Sequence, residues 1–229
     1  MKRSEINAYL RHAEQVFKSK NFLLPPFAYF SPEDWKDKLD SPEYKEIREC
    51  ALGWDITDFG SGDFEKMGLF LFTLRNGNYY NNAYEKPYAE KIMLVGEGQI
   101  TPYHYHKSKL EDIINRGGGN LLISVYNSAP DGKSFDTTPV TVCSDGRRYT
   151  VEAGSVIRLR PGESMTMTRG LFHQFWGEEG CGEVIVGEVS MVNDDTADNR
   201  FYEPAGRFPA VEEDEAPIRL LCNEYPKAK

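Results

Sequence analysis

Two histidines one residue apart, with a glutamate five residues further on and glycines on either side, constrain this chain more than any other feature. The set is Gly98, His104, His106, Glu111 and Gly118. On an extended strand residues i and i+2 project from one face, so His104 and His106 converge on one point. Glu111 follows after a turn that KSKL (107–110) can make, and can return a carboxylate to that point. A second block, Gly162, Thr168, Gly170, His173 and Gly177, brings a third imidazole from a separate strand. The fourth histidine, His12, lies in the N-terminal helix off its apolar stripe and is expected to be a bystander. Three neutral imidazoles and a carboxylate suit a borderline divalent ion: Mn, Fe, Co, Ni or Zn. Four protein ligands leave one or two positions open on a five- or six-coordinate ion, and a catalytic metal needs such positions. With these three histidines committed to a metal, a Ser-His-Asp arrangement is not expected.

The surrounding pattern predicts where those strands come from. Ser4 is expected to cap a helix running to about Asn21, with Ile6, Leu10, Ala13 and Phe17 on one stripe. LLPPF stops it, and Ser31-Pro32 and Ser41-Pro42 each place a capping residue before a proline, predicting two short helices. From about residue 67 the texture changes to short strands. MGLFLFTLRNGN ends at Asn76-Gly77, and KIMLV (91–95) and NLLISVYN (120–127) read as buried strands. VTVC (140–143) and RRYTVE (147–152) flank Ser144-Asp145-Gly146, a hairpin signal. VIRLR, SMTMT, HQFW and EVIVGEVSMV follow at close spacing. The fold class is therefore mainly β, a sandwich or barrel. A helical annex is expected over residues 1–60, its last helix ending near Gly53, and the barrel over 61–229 with a closing tail. The acidic run VEEDEA (211–216) in that tail is expected to be a solvated segment.

Charge and cysteine usage bound the partners. A net charge of −9 argues against nucleic acid and against an anionic membrane surface. No apolar run reaches the ~20 residues of a membrane helix, and MKRSEINAYL lacks the apolar core of a secretory leader. The four cysteines, Cys50, Cys143, Cys181 and Cys222, are far apart and are expected to be reduced thiols of a cytoplasmic protein.

The spacing from Gly98 to Gly118 reproduces the first cupin motif, and Gly162 to Gly177 fits the second with two departures. Thr168 stands where a proline is expected and Gly177 where an asparagine is expected. Neither is a ligand, so the departures bear on local turn geometry. Most of the chain, annex included, resembles the D-lyxose isomerases, a sugar-isomerase family within the cupins. The resemblance is carried by TPYHYHKSKLEDIINRGGGN (101–120) and GEVSMVNDDTADNRFYEPAGRFP (187–209). It implies a jelly-roll-like cupin β-barrel, a homodimer, manganese, and interconversion of D-lyxose with D-xylulose and of D-mannose with D-fructose.

Such an isomerase needs groups that move a carbon-bound proton. Lys109, between His106 and Glu111, must lie near the ion, and a nearby cation with burial can bring a lysine toward neutrality. Glu203, in FYEPAGR, is the second catalytic candidate, in the tail the family uses to close the barrel mouth. Arg207 and Asp195 are candidate hydroxyl contacts. Asp194 and Asp198 are expected to shape their loop, and Trp176 to offer a flat face to a sugar. Phe27, Tyr29 and Phe30 are candidate dimer contacts. Two competing readings use the same ligand set: a cupin dioxygenase using Fe(II) or Ni(II), and a non-catalytic sugar-binding cupin.

Overall fold

The computed structural model describes residues 1–38, 40–194 and 197–225. The chain opens with α1 (Arg3–Ser19), a 3-10 turn at Pro26–Tyr29, α2 (Pro32–Lys38), a further 3-10 turn at Pro42–Tyr44, and α3 (Lys45–Glu49). The expected stripe is the buried face of α1, with Ile6, Leu10, Ala13 and Phe17 all at most 1% exposed. The helix starts one residue before Ser4, whose hydroxyl instead donates to Asp214 at 2.7 Å. Both Ser-Pro starts hold. The Ser31 hydroxyl accepts from the Asp34 amide at 3.1 Å and the Ser41 hydroxyl from the Glu43 amide at 3.3 Å.

Fourteen strands follow among the described residues: β1 (Gly53–Thr57), β2 (Leu69–Arg75), β3 (Tyr88–Val95), β4 (Thr101–His106), β5 (Glu111–Gly118), β6 (Leu121–Ser128), β7 (Phe135–Asp136), β8 (Val140–Ser144), β9 (Arg147–Val151), β10 (Val156–Leu159), β11 (Ser164–Met167), β12 (Leu171–Gly177), β13 (Val184–Met191) and β14 (Asn199–Phe201). They form two curled antiparallel sheets. One runs β1-β2-β3-β13-β5-β11-β8-β9, the other β10-β6-β12-β4-β14, with β7 beside β6. This is the expected mainly β, cupin-like architecture with its helical annex. The sequence pattern does not predict β1, β5, β7 or β14: GWDIT directly follows the annex, EDIINRGG follows the metal-motif turn, FD is a two-residue strand and NRF lies in the polar tail. The expected hairpin is present, with Asp145 and Gly146 at φ 51° and 79°, the positive pair a two-residue type I′ turn demands.

Two cores explain why β2 is apolar without alternation. Leu71, Met93, Val95, Ile113, Val184 and Val186 meet Ile123, Val125, Leu171 and Phe175 between the sheets. Phe70, Phe72, Ile92, Leu94 and Ile185 face the other way and receive α1 together with Trp54 and Ile56. A strand covered on both faces reads as a continuous apolar run. Each large side chain so buried contributes about 1.5–3 kcal/mol, so the annex is an integral part of the fold. Phe27 packs against Phe72 (5.2 Å) and Phe30 against Trp35 (5.5 Å), which turns these two candidate dimer contacts inward; Tyr29 remains exposed.

The tail closes back on α1. Arg3, 2% exposed, pairs with Glu213 at 2.7 Å and with Glu224. The acidic run is solvated as expected, residues 212–216 all being exposed, and from that surface position Glu213 and Asp214 also bind Arg3 and Ser4. Its carboxylates anchor the N-terminus.

The row of residues facing the barrel interior becomes charged toward the same end of three neighbouring strands, Glu188 lying opposite Lys91 and Ile113, with Glu111 two residues beyond Ile113. Along β13 it runs Val184, Val186, Glu188; along β3, Val95, Met93, Lys91; along β5, Ile113, Glu111. Glu188 pairs directly with Lys91 in the ladder. One end of the barrel is thus apolar and the other end, beneath the tail, is charged.

Candidate metal centre

His104 and His106 project from β4, and His173 lies directly opposite His104 in the β4–β12 ladder. Glu111 opens β5 in the facing sheet, so the two sheets contribute to one centre. A ligand atom from each of His104, His106, Glu111 and His173 lies within 4.8 Å of the others, and all four residues are buried. The Glu111 Oε1 is 3.1 Å from His106 Nε2 and 3.4 Å from His173 Nε2.

The tautomers follow from the backbone. His104 Nδ1–H donates to the Pro102 carbonyl at 2.8 Å and His173 Nδ1–H to the Leu171 carbonyl at 2.9 Å. Their Nε2 lone pairs are thereby presented to the centre. The buried Nε2 atoms of His106 and His173 have no hydrogen-bond partner among the described residues. Nitrogens so placed are satisfied when a cation fills the centre, so the donor set fits a divalent metal. Burial, with the neighbouring imidazoles, holds His104 well below the usual histidine range, and burial also lowers His106. Both are then neutral, the form that ligates metals. Burial alone would raise the Glu111 carboxyl, but His106 and Lys109 outweigh it and hold it well below the ordinary carboxylate range.

Lys109 stands where the turn predicts. It is 2% exposed, and its Nζ lies 2.7 Å from Glu111 Oε2 and 2.9 Å from Glu188 Oε1. The turn that carries it is held by Asp198, whose carboxylate accepts from the Ser108 and Lys109 amides at 2.6 and 3.1 Å. That is the loop-shaping role expected of Asp198. Asp194 accepts from the Tyr80 hydroxyl at 2.6 Å. Asp195 lies outside the described residues.

Sequence reasoning missed two members of the cluster. Glu188 is 5% and Lys91 4% exposed, and Lys91 Nζ lies 3.2 Å from Glu188 Oε1. Asn193 Oδ1 accepts from both Lys91 (2.8 Å) and Lys109 (3.1 Å). The signal was present in strand alternation. Glu188 shares a face with Val184 and Val186, and Lys91 shares one with Met93 and Val95. Which face was interior could not be read from either strand alone.

A pocket joins these groups. It is lined by the histidines of β4, Lys91, Lys109, Glu111, Glu188, Asp55 and Arg207, over an apolar floor of Leu71, Met93, Ile113 and Phe175. Phe59, with φ 53°, and Phe201 form an aromatic wall, their rings 5.7 Å apart. Arg207 therefore reaches the pocket, braced by two hydrogen bonds to the buried Asp55 carboxylate.

Two expected contacts do not. Trp176 is three residues from His173, an odd offset that puts it on the opposite strand face, and it is absent from the pocket lining. Glu203 is exposed and lines a separate surface cleft with Tyr103, Gln174 and Tyr202. The tail turns outward after β14, which carries this carboxylate away from the ligands. Glu203→Gln is accordingly expected to keep kcat and KM within about twofold of the parent in a steady-state assay, as for surface substitutions generally. A large loss of kcat would put Glu203 back in the site.

Comparison with known proteins bears on the family and the fold. The D-lyxose isomerase family model matches residues 1–225. A D-lyxose/D-mannose isomerase of Serratia proteamaculans is 52% identical over 225 residues, covering 98% of each chain. Another, from Escherichia coli O157:H7, is 50% identical over the same length with the same coverage. Among solved structures, the L-ribose isomerase of Cellulomonas parahominis with L-ribose superposes with a TM-score of 0.60 at 18% identity. It covers 93% of this chain and 98% of its own. At that identity the likeness speaks to the fold alone.

Proposed function

Because this chain belongs to the D-lyxose isomerase family and is a sugar isomerase, we propose that it interconverts D-lyxose with D-xylulose and D-mannose with D-fructose. The observation that carries this reading is the charged cluster of Lys91, Lys109, Glu111 and Glu188 beside three buried imidazoles, above the apolar core between the sheets. Buried ion pairs seldom add net stability, because desolvation offsets their attraction. A cluster of them in a pocket is better explained by chemistry.

In this proposal His104, His106, Glu111 and His173 hold one divalent ion, with manganese as the family resemblance implies. What the bound ion supplies is Lewis-acid polarisation of the C1 and C2 oxygens. Of the buried pocket carboxylates with no ligand role, Asp55 is held by Arg207, and Glu188, beside Lys109, acts as the base. It takes the proton from C2 of the open-chain aldose as that electron pair forms the C1–C2 double bond of an enediol. It then returns the proton to C1 of the ketose. Lys109, within reach of both Glu111 and Glu188, delivers a proton to O1 and recovers one from O2. Arg207, set by Asp55, faces the remaining hydroxyls. Lys91 and Asn193 hold Glu188 and Lys109 in register. The homodimer implied by the resemblance and a cytoplasmic setting complete the reading.

A dioxygenase pocket for an aromatic or thiol substrate would be largely apolar throughout, and a non-catalytic sugar binder has no use for a base at Glu188. The test is anaerobic. Protein loaded with manganese and supplied with D-lyxose or D-mannose is expected to accumulate ketose without oxygen. No ketose, together with oxygen uptake on another substrate, would overturn the isomerase assignment for this chain.

A further inference from the structure

Two polar atoms in the pocket have no role in the cluster just described. Thr101 is 2% exposed, and its Oγ1 is buried without a hydrogen-bond partner among the described residues. The Oδ1 of Asn199 is in the same condition. Both residues line the pocket that holds the metal ligands. Buried polar groups are almost always partnered, because an unsatisfied one carries the full cost of leaving water. An orphaned hydroxyl and an orphaned amide facing one cavity therefore report what that cavity takes up.

Their positions on the sheet are informative. Asn199 lies directly opposite His106 in the β14–β4 ladder, two pairs along from Phe201 opposite His104. Thr101 begins β4 and lies opposite Phe175, toward the apolar core. The two thus flank the His104–His106 row along the same sheet, one toward the mouth and one toward the floor. Lys91, Lys109 and Glu188 come from the other sheet or the turn leading to it. A molecule held between the sheets has the charged cluster on one side and these two neutral groups on the other.

We infer that Thr101 and Asn199 form a neutral hydroxyl-recognition edge that binds the alcohol groups of an open-chain sugar opposite the proton-transfer cluster. The inference rests on the sugar-isomerase reading and names residues that determine affinity within it. A hydroxyl can both donate and accept, so it satisfies the Thr101 Oγ1 as donor or acceptor and donates to the Asn199 Oδ1. An alkyl or aromatic substrate would satisfy neither. Uncharged partners recognise an alcohol without drawing a proton from it, which keeps the acid–base work on the opposite wall.

The test uses the near-isosteric variants Thr101→Val and Asn199→Leu in manganese-loaded full-length protein, with D-lyxose and then with aldoses deoxygenated singly at C3, C4 or C5. Each variant is expected to raise KM for D-lyxose about tenfold, the loss of roughly one good hydrogen bond. Its kcat should stay within about threefold and its metal content unchanged, as befits binding shared by ground and transition states. Thr101→Ser, which restores the hydroxyl, should recover most of the lost affinity. In the parent at least one deoxygenation should raise KM, and in the matching variant that same deoxygenation should have little further effect. Unchanged KM in both variants, or deoxygenation penalties equal in parent and variants, overturns the inference. Should a variant fail to fold, the parent still decides. If no single deoxygenation raises its KM, the edge does not exist. A parent that converts no aldose defeats the isomerase reading itself, whereas turnover without coupling defeats this inference alone.

Discussion

His173→Ala protein is expected to emerge from purification without its metal and with turnover at or below the limit of detection. His173 is fully buried, its Nδ1–H is committed to the Leu171 carbonyl, and its Nε2 is one of the orphaned nitrogens of the centre. Alanine removes one of four donors and leaves a space that neighbouring strands cannot refill with a ligand. Changes to groups that merely orient metal ligands cost roughly 10–100-fold in affinity, and loss of a ligand should exceed that. The fold should survive, since β12 keeps Leu171 and Phe175 in the core between the sheets and Phe172 packed against Tyr105, Phe135 and Tyr202. Elemental analysis after dialysis checks the result, with thermal unfolding as the control. One tightly held ion per folded variant chain would refute the ligand assignment, and Glu111→Gln provides the same test from the other sheet.

The second large effect is expected at Glu188. Glu188→Gln keeps the side chain's shape and an oxygen that can still accept from Lys91 and Lys109, whose Nζ atoms lie 3.2 and 2.9 Å from the native Oε1. It removes the ability to hold a proton. A positioned acid–base group typically contributes about 10²–10⁴ in rate, so kcat for D-lyxose should fall by roughly 10³. Bound metal should be unchanged. Some destabilisation is also expected, because two buried ammonium groups lose part of their compensation. Retention of kcat within about tenfold, with metal and fold intact, would show that Glu188 only balances charge and that another group moves the proton. Lys109 would then be the next candidate.

Trp176 and Glu188 illustrate different reasons for a misplaced or missed site residue. Trp176 was a legible error. The strand has a period of two, and a residue three positions from an inward ligand points away from it. Glu203 was not legible in that way, because its segment is not a strand and no periodicity governs where a loop residue faces. Glu188 and Lys91 sit in EVIVGEVSMV and KIMLV, strands that are apolar on both faces because α1 covers one and the opposite sheet the other. With both faces buried, composition no longer says which one is the interior, and a single charged residue carries no address.

The sequence by itself determined which three imidazoles and carboxylate converge, the predominance of strands, the apolar stripe of α1 and the hairpin at Asp145-Gly146. Each depends on local geometry: two residues on one strand face, four on one helix face, two positive φ angles in a turn. Tertiary structure alone decided that β13 lies between β3 and β5, which sets Glu188 between Lys91 and Lys109. It also decided that the tail turns Glu203 outward while bringing Arg207 to Asp55. Those outcomes depend on which distant segments pair, and pairing is chosen by burial summed over the whole chain rather than by any residue's neighbours in sequence.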